Sequence, residues 1–431
     1  LPPTPLAYLA YTLPYSLLWM LALPLVLVRL LWRARRQPAY LAHLGERFGH
    51  YRVRAPGPVI WVHAVSVGET RAAEPLVRAL LEHWPAHTVV LTHMTPTGRA
   101  TAKSLFGGES RVLSVYLPYD LGLLARRFLR RFRPHFGVIM ETELWPNLLM
   151  AAHRHKVPVM LANARLSARS ASRYARFPAL TGLTLGALSA IGAQTAADAT
   201  RLSALGARRV TVTGNIKFDI APPQAMAALG RDFRSRIGER RVLLAASTRE
   251  GEEAPLLDAF SRLAPVDTLL ILVPRHPQRF DEVAALAAGR ELKLQRRSEA
   301  DPVAADTRVW LGDSMGEMFA YYAAADVALI GGSWLPFGGQ NLIEACAVGT
   351  PVILGPHTFN FELVADQAIA AGAALRETDI DAGITRGVAL LQDPARRAGM
   401  AKAGRMFAES HRGATGRTIA VLGAIASDGE G

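Results

Sequence analysis

The sequence predicts an α/β protein of two doubly wound domains, each a parallel sheet covered by helices on both faces, behind one apolar N-terminal helix. Three observations predict it. From residue 58 onward, short β-branched and aromatic runs alternate with longer helical stretches, the mark of repeated βα units. The alternation breaks once, at Asp219-Ile220-Ala221-Pro222-Pro223, where adjacent prolines favour an extended linker, and then resumes. No charged residue occurs from Leu1 to Val28. A chain of 431 residues also exceeds one ordinary core. The expected division is an anchor over 1–32, one α/β domain over 33–220 and a second over 221–431.

The N-terminal segment comes first. Leu17 to Leu31 is nearly all apolar, interrupted by Pro24 and Arg29, and Arg33, Arg35 and Arg36 follow. A helix of about 20 residues spans about 30 Å, enough for a hydrocarbon core. Basic residues after the span place the rest of the chain in the cytoplasm, on the inner membrane. A signal peptide carries its positive charge before the apolar stretch, not after it. Pro14 and Pro24 would kink the helix, which leaves a segment lying on the bilayer as the alternative.

In the first domain the pattern predicts strands over 58–63, 87–92, 112–116, 136–140, 158–163, 188–193 and 210–213. Helices are predicted over 72–81, 97–105, 121–131, 145–155 and 196–205. In the second domain strands are expected over 242–247, 268–274, 309–311, 327–331, 351–354 and 373–375. Helices are expected over 253–262, 279–288, 315–323, 341–348, 361–371 and 384–391, with one or two more over 396–425. Two such domains joined by a short linker leave a cleft, a common place for ligands.

Charge and composition narrow the partners. A net charge of +13 points to acidic ones: a membrane surface, a phosphorylated substrate or nucleic acid. No basic run interleaved with aromatics argues for nucleic acid, and none is expected as a partner. In the helix over 121–131, Leu124, Phe128 and Phe132 recur at helical spacing. Arg126, Arg127, Arg130, Arg131 and Arg133 occupy the rest. That pattern fits a core-facing helix with a solvated face. It also fits a patch on an anionic membrane, at about 1 kcal/mol per basic residue. The single cysteine, Cys346, excludes a disulfide framework and a thiolate cluster. No metal site and no cofactor is expected.

Several polar clusters sit at predicted strand ends, where open α/β sheets bind ligands. Trp61-Val62-His63-Ala64-Val65-Ser66-Val67-Gly68-Glu69 ends an apolar run in a glycine and a carboxylate. Gly68 is expected to let the chain turn, and Glu69 to accept a proton. The alternative is that Glu69 caps the following helix. Glu141-Thr142-Glu143 ends a second strand; two carboxylates near Glu69 would raise at least one pKa. Arg165, after another strand, suits a carboxylate or phosphate. Thr95-Pro96-Thr97-Gly98 reads as a loop entering a helix.

In the second domain, Ser247, Thr248 and Arg249 follow the first strand. The hydroxyls can bond phosphate and the arginine can neutralise it; a helix N-cap is the alternative. Arg275 stands in Pro274-Arg275-His276-Pro277, a rigidly held cation suited to an anion. The loop 312–317, with Met315, suits a nucleobase edge. The glycine-rich loop 331–339 leads to Asn341 and Glu344. Gly338 and Gly339 would let a ligand approach the backbone, and a helix start near Gln340 would favour phosphate. No Walker loop and no GxGxxG fingerprint is present.

Taken together these motifs resemble the Kdo transferases, enzymes that move 3-deoxy-D-manno-octulosonic acid (Kdo) from its cytidine monophosphate (CMP) sugar onto lipid A precursors. The resemblance covers nearly the whole chain. It rests on WVHAVSVGE at 61–69, TPTG at 95–98, ETELWPN at 141–147, NARLS at 163–167, GNIKFD at 214–219, STREGEE at 247–253, PRHP at 274–277 and GGQNLIEA at 338–345. It implies a GT-B glycosyltransferase fold, metal-independent inverting transfer in lipopolysaccharide biosynthesis, and Glu69 as the general base, with Glu143 or Glu141 assisting. It implies that the second domain binds CMP-Kdo, through Ser247, Thr248, Arg249, Arg275, Met315, Gly338, Gly339, Asn341 and Glu344. Ser66, Gly68 and Arg165 are then expected at the acceptor or the sugar carboxylate, and the anionic inner leaflet as the membrane partner. Asp379-Ile380-Asp381 matches the Asp-x-Asp pattern of metal-dependent sugar transferases, but its place ahead of a helix reads as a cap. A GT-B enzyme using a uridine diphosphate sugar and a non-catalytic, membrane-anchored lipid-binding protein are the competing readings.

Overall fold

The computed structural model describes residues 5–219, 223–299 and 302–427. The proline linker falls largely on 220–222, outside the described residues, as do residues 1–4 of the expected anchor.

All seven strands expected in the first domain form: β1 Val59–His63, β2 Thr88–His93, β3 Val112–Tyr116, β4 Pro134–Met140, β5 Val159–Ala164, β6 Ala190–Ala193 and β7 Val210–Val212. They make one parallel sheet in the order β3-β2-β1-β4-β5-β6-β7. Every residue of β1 is buried, because helices cover both faces; each such side chain is worth roughly 1.5–3 kcal/mol of transfer energy. Trp61 is fully buried, and a Cβ at Gly137 of β4 would stand 2.5 Å from its ring, so the neighbouring strand needs glycine there. The strand order reverses between β1 and β4, and that crevice is where this architecture binds ligands.

The second unit carries β8 Val242–Thr248, β9 Leu269–Pro274, β10 Leu294–Arg296, β11 Val309–Leu311, β12 Val327–Ile330, β13 Val352–Leu354 and β14 Ala374–Arg376. Their order is β10-β11-β9-β8-β12-β13-β14, all parallel, with the reversal between β8 and β12. The edge strand β10 is the one strand the sequence pattern missed: Leu-Gln-Arg has no apolar run to announce it. Helices Ala168–Tyr174, Pro178–Gly186 and Gln224–Ile237 were also not expected.

The unit boundary differs from the expectation. Residues 412–427 belong with the first unit, not with 223–411. The final helix, Ala414–Ser427, buries Ile419, Leu422 and Ile425 in the first unit's core. Asp219 caps it, its carboxylate accepting the N–H of Gly413 at 2.6 Å. Sequence order hides this return because the helix carries its partner's complement only in its apolar face.

Helix Pro5–Arg36 runs through both Pro14 and Pro24 as one element. Its stretch Thr12–Arg35 is long and apolar enough to cross a membrane and is almost wholly unburied by the rest of the chain. Leu21 and Leu25 are 80% and 72% exposed. One end is tied down: Ser16 hydrogen-bonds Asn147, and Trp19 packs on Tyr119 at 6.0 Å. The arginine-rich helix Gly122–Phe132 buries Leu124, Phe128 and Phe132, while Arg126, Arg127, Arg130 and Arg133 face out.

Candidate active site

The turn after β1 brings a carboxylate to the strand reversal. The helix there begins at Val67, earlier than the sequence pattern suggests, so Gly68 lies in its first turn and not in a tight loop. Ser66 is the N-cap. Its Oγ accepts the Glu69 N–H at 3.4 Å and donates to Glu69 Oε1 at 3.1 Å, while Val65 N–H donates to Oε2 at 2.8 Å. Glu69 therefore does cap the helix. A cap alone does not account for its surroundings. Burial pushes its carboxyl up to about 7, and the charges of Glu141 and Glu143 raise it against the pull of the Val65 and Ser66 hydrogen bonds.

Glu141 and Glu143 follow β4, across the reversal. Glu141 adopts φ +60°, a left-handed conformation that costs a non-glycine residue about 1 kcal/mol. Lys217 Nζ stands 2.9 Å from its Oε1. Burial, and then Glu141, hold the Glu143 carboxyl above its usual range. Lys217, in the 214–219 motif, carries no local sequence signal of this pairing, being a lysine after a short strand. Arg165 is exposed just beyond β5. Asn163 in β5 is fully buried at φ +54°, its Oδ1 accepting the Ile216 N–H and its Nδ2 unpaired.

At the second reversal, Ser247 is left-handed (φ +58°) and Thr248 is buried, its hydroxyl donating to Glu253. Arg249 lies over the Phe337 ring at 4.7 Å. Burial, and then the charges of Arg249, Arg275 and Arg279, depress the His276 imidazole. Three arginine charges thus gather at the ends of β8 and β9, a setting suited to an anion. Arg279 itself is spoken for, paired with Glu253 and Glu282.

The glycine loop departs from the expectation. The carboxylate of buried Glu252 accepts N–H groups from Arg249, Gly332, Trp334 and Leu335. Three N–H groups of the loop are thus occupied by an internal carboxylate. The space above Gly338 is filled by Phe359 and Asn360, which a Cβ would meet at 2.5 and 2.4 Å; its φ of +92° also demands glycine. Gly339, at φ +80°, bonds back to Gly332. The next helix starts at Ile343, not near Gln340. Asn341 precedes it, its Oδ1 accepting the Ile343 N–H and its Nδ2 donating to Glu344. Met315 is half exposed in its loop, three residues before the helix expected to contain it. Glu317, ion-paired to Arg297, steadies that loop through Ser314.

Residues 42–220 match the family model for 3-deoxy-D-manno-octulosonic-acid transferase (kdotransferase), and residues 246–407 match glycosyl transferases group 1. A 3-deoxy-D-manno-octulosonic acid transferase of Bordetella pertussis is 47% identical over 409 residues, 91% of this chain and 94% of that one. The chain belongs to the Kdo transferase family. A member from Haemophilus influenzae is 36% identical, covering 95% of this chain and 97% of its own. Among solved structures, a UDP-GlcNAc 2-epimerase from Neisseria meningitidis matches with TM-score 0.58 at 16% identity, over 84% of this chain and 99% of that one. A glycosyltransferase from Rickettsia africae matches with TM-score 0.57 at 13% identity, over 86% and 99%. At such identities the likeness concerns the fold alone, which is GT-B. As a Kdo transferase the chain is an enzyme, a glycosyltransferase.

Among the described residues no group of three or more His, Cys, Asp or Glu side chains gathers as a metal site. Asp379 caps helix Ile380–Leu391 through the Ala382 N–H at 2.8 Å, and Asp381 pairs with Arg262 at 2.6 Å. The Asp-x-Asp pair is committed to structure, as its position ahead of a helix suggested.

Proposed function

We propose that this Kdo transferase moves Kdo from CMP-Kdo to a sugar hydroxyl of a lipid A precursor in lipopolysaccharide biosynthesis, with Glu69 as general base. The supporting observation is the Glu69 carboxyl itself, raised to about 7 beside Glu141 and Glu143 at the strand reversal. A base works best when its pKa lies near the working pH. In the step, Glu69 takes the acceptor hydroxyl proton as the oxygen attacks the anomeric carbon. The bond to the CMP oxygen breaks, and its electron pair leaves with the phosphate. Attack from the face opposite the leaving group inverts the centre.

The second unit is the proposed donor site. Arg249 and Arg275 meet the phosphate, with Ser247 and Thr248 near it. Met315, Asn341 and Glu344 are assigned to the nucleoside and sugar. Gly338 shapes the loop, with Phe359 and Asn360 filling the space above it, and Gly339 is assigned to the donor side. Arg165, Ser66 and the open space beside Gly68 suit the acceptor or the Kdo carboxylate. With two arginines stabilising the leaving group, the reaction proceeds without a metal in this proposal. Helix Thr12–Arg35 supports attachment to the inner membrane, where a phosphorylated lipid acceptor lies.

Transfer from CMP-Kdo to a tetra-acylated lipid A precursor, with and without a chelator, tests this. Glu69→Ala should abolish transfer and leave CMP affinity intact. Retained transfer by that variant, or its loss with chelator, would overturn the corresponding part.

A further inference from the structure

The turn that carries the base is held in an unusual way. Three successive carbonyls, Ala64, Val65 and Ser66, are each bonded from the side. Ala64 O accepts from His93 Nδ1 at 2.9 Å. Val65 O accepts from the Met94 N–H at 3.3 Å and the Thr95 hydroxyl at 3.2 Å. Ser66 O accepts the Thr70 N–H at 2.9 Å and, in addition, the Thr70 hydroxyl at 2.8 Å. Thr70 Oγ1 also lies 3.4 Å from His93 Nδ1, which links the two side chains. Both are fully buried.

Neither polar group is needed to form the helix or the sheet. The Thr70 N–H already satisfies Ser66 O as an ordinary helical bond, so its hydroxyl is a second donor to the same atom. His93 stays neutral, since burial holds its imidazole down to about 4, and its Nε2 has no partner. An apolar residue would fill that space at lower cost. What His93 fixes is the peptide unit of the Ala64 carbonyl, whose N–H, that of Val65, donates to Glu69 Oε2, while Thr70 fixes the Ser66 carbonyl at the other end of the same turn.

We propose that Thr70 and His93 are positioning residues for the base: they pin the Ala64–Ser66 turn so that the Val65 N–H meets the Glu69 carboxylate. The inference rests on Glu69 being the base. That N–H favours the ionised carboxylate against burial, so a loosened turn weakens the ionised form. The other charged groups around Glu69 are Glu141 and Glu143 after β4, with Lys217 on Glu141, and Arg99 beside His93. Removal of the Thr70 hydroxyl changes none of them.

The test is the pH dependence of kcat for the full-length enzyme at saturating donor and acceptor. Thr70→Val should move the rising limb to higher pH, and Thr70→Ser should restore it, with the donor KM unchanged in both. A move of about one pH unit from a midpoint near 7 cuts the ionised fraction at pH 7 about five-fold, and activity should return by pH 9. Should Thr70→Val not fold, Thr70→Cys keeps the volume with a weak donor and carries the same test. A limb that does not move, whether or not kcat falls at all pH values, overturns the positioning role. Glu69→Gln separates the two claims. If that variant retains transfer, the base assignment fails; if it is inactive while the Thr70 variants keep the wild-type limb, only the positioning role fails.

Discussion

The carboxylate of Glu252 accepts the Gly332 N–H at 2.7 Å, joining residues 80 positions apart at the strand reversal of the second unit. It accepts three further N–H groups, so a loop that reads as a phosphate cradle is built around an internal anion. Glu252→Ala leaves those buried donors unpaired. The expected loss is upward of about 3 kcal/mol, seen as a lower melting temperature, with weaker CMP binding by calorimetry. Glu252→Gln keeps one acceptor oxygen and should lose less than half as much.

The pH dependence of Glu69 has a definite sign. Its carboxyl rises from 4.5 unfolded to about 7 folded, so the folded state holds the proton longer. Its contribution to stability is complete below about 4.5 and is lost as pH rises through about 7. Glu69→Gln should therefore be more stable than wild type at pH 8, by at most about 3 kcal/mol, and equal to it near pH 4.5. Thermal melts at the two pH values check this. Wild-type transfer should rise over the same interval as the base ionises.

Glu141 should act on Glu69 through charge. Its negative charge raises the Glu69 carboxyl, and Lys217 partly offsets it. Glu141→Gln removes the anion and leaves the cation, so the rising limb of the activity profile should move to lower pH, on the order of half a pH unit. Lys217→Met should move it the other way. A shared direction for the two variants would contradict this electrostatic account.

The C-terminal helix should be essential to the first unit. Ile419, Leu422 and Ile425 are buried there, each worth roughly 1.5–3 kcal/mol. A chain ended after His411 should lose the first unit's cooperative melting transition while the second unit still melts and binds CMP.

The strands were legible because buried parallel strands are unbroken apolar runs. Val-Ile-Trp-Val-His and Leu-Leu-Ile-Leu-Val-Pro announce β1 and β9 without any knowledge of their neighbours. β10 was not legible, since its three residues are held by pairing with β11 and not by their own pattern. Glu69, Glu143 and Arg249 were legible as polar groups at strand ends. Lys217 and Glu252 were not: the first matters through an ion pair 76 positions away, the second through N–H groups about 80 positions away.

By itself the sequence determined two parallel α/β units, an apolar helix at the N-terminus, the family, and which strand ends carry the polar groups. These follow from periodicity and local chemistry, which a linear chain records directly. Only the tertiary structure decided that Gly332, Trp334 and Leu335 spend their N–H groups on Glu252, that the last helix returns to the first unit, and that Glu69 is both a helix cap and a carboxyl raised to about 7. Burial, charge coupling and hydrogen bonding depend on distance in space, and sequence spacing does not encode that distance.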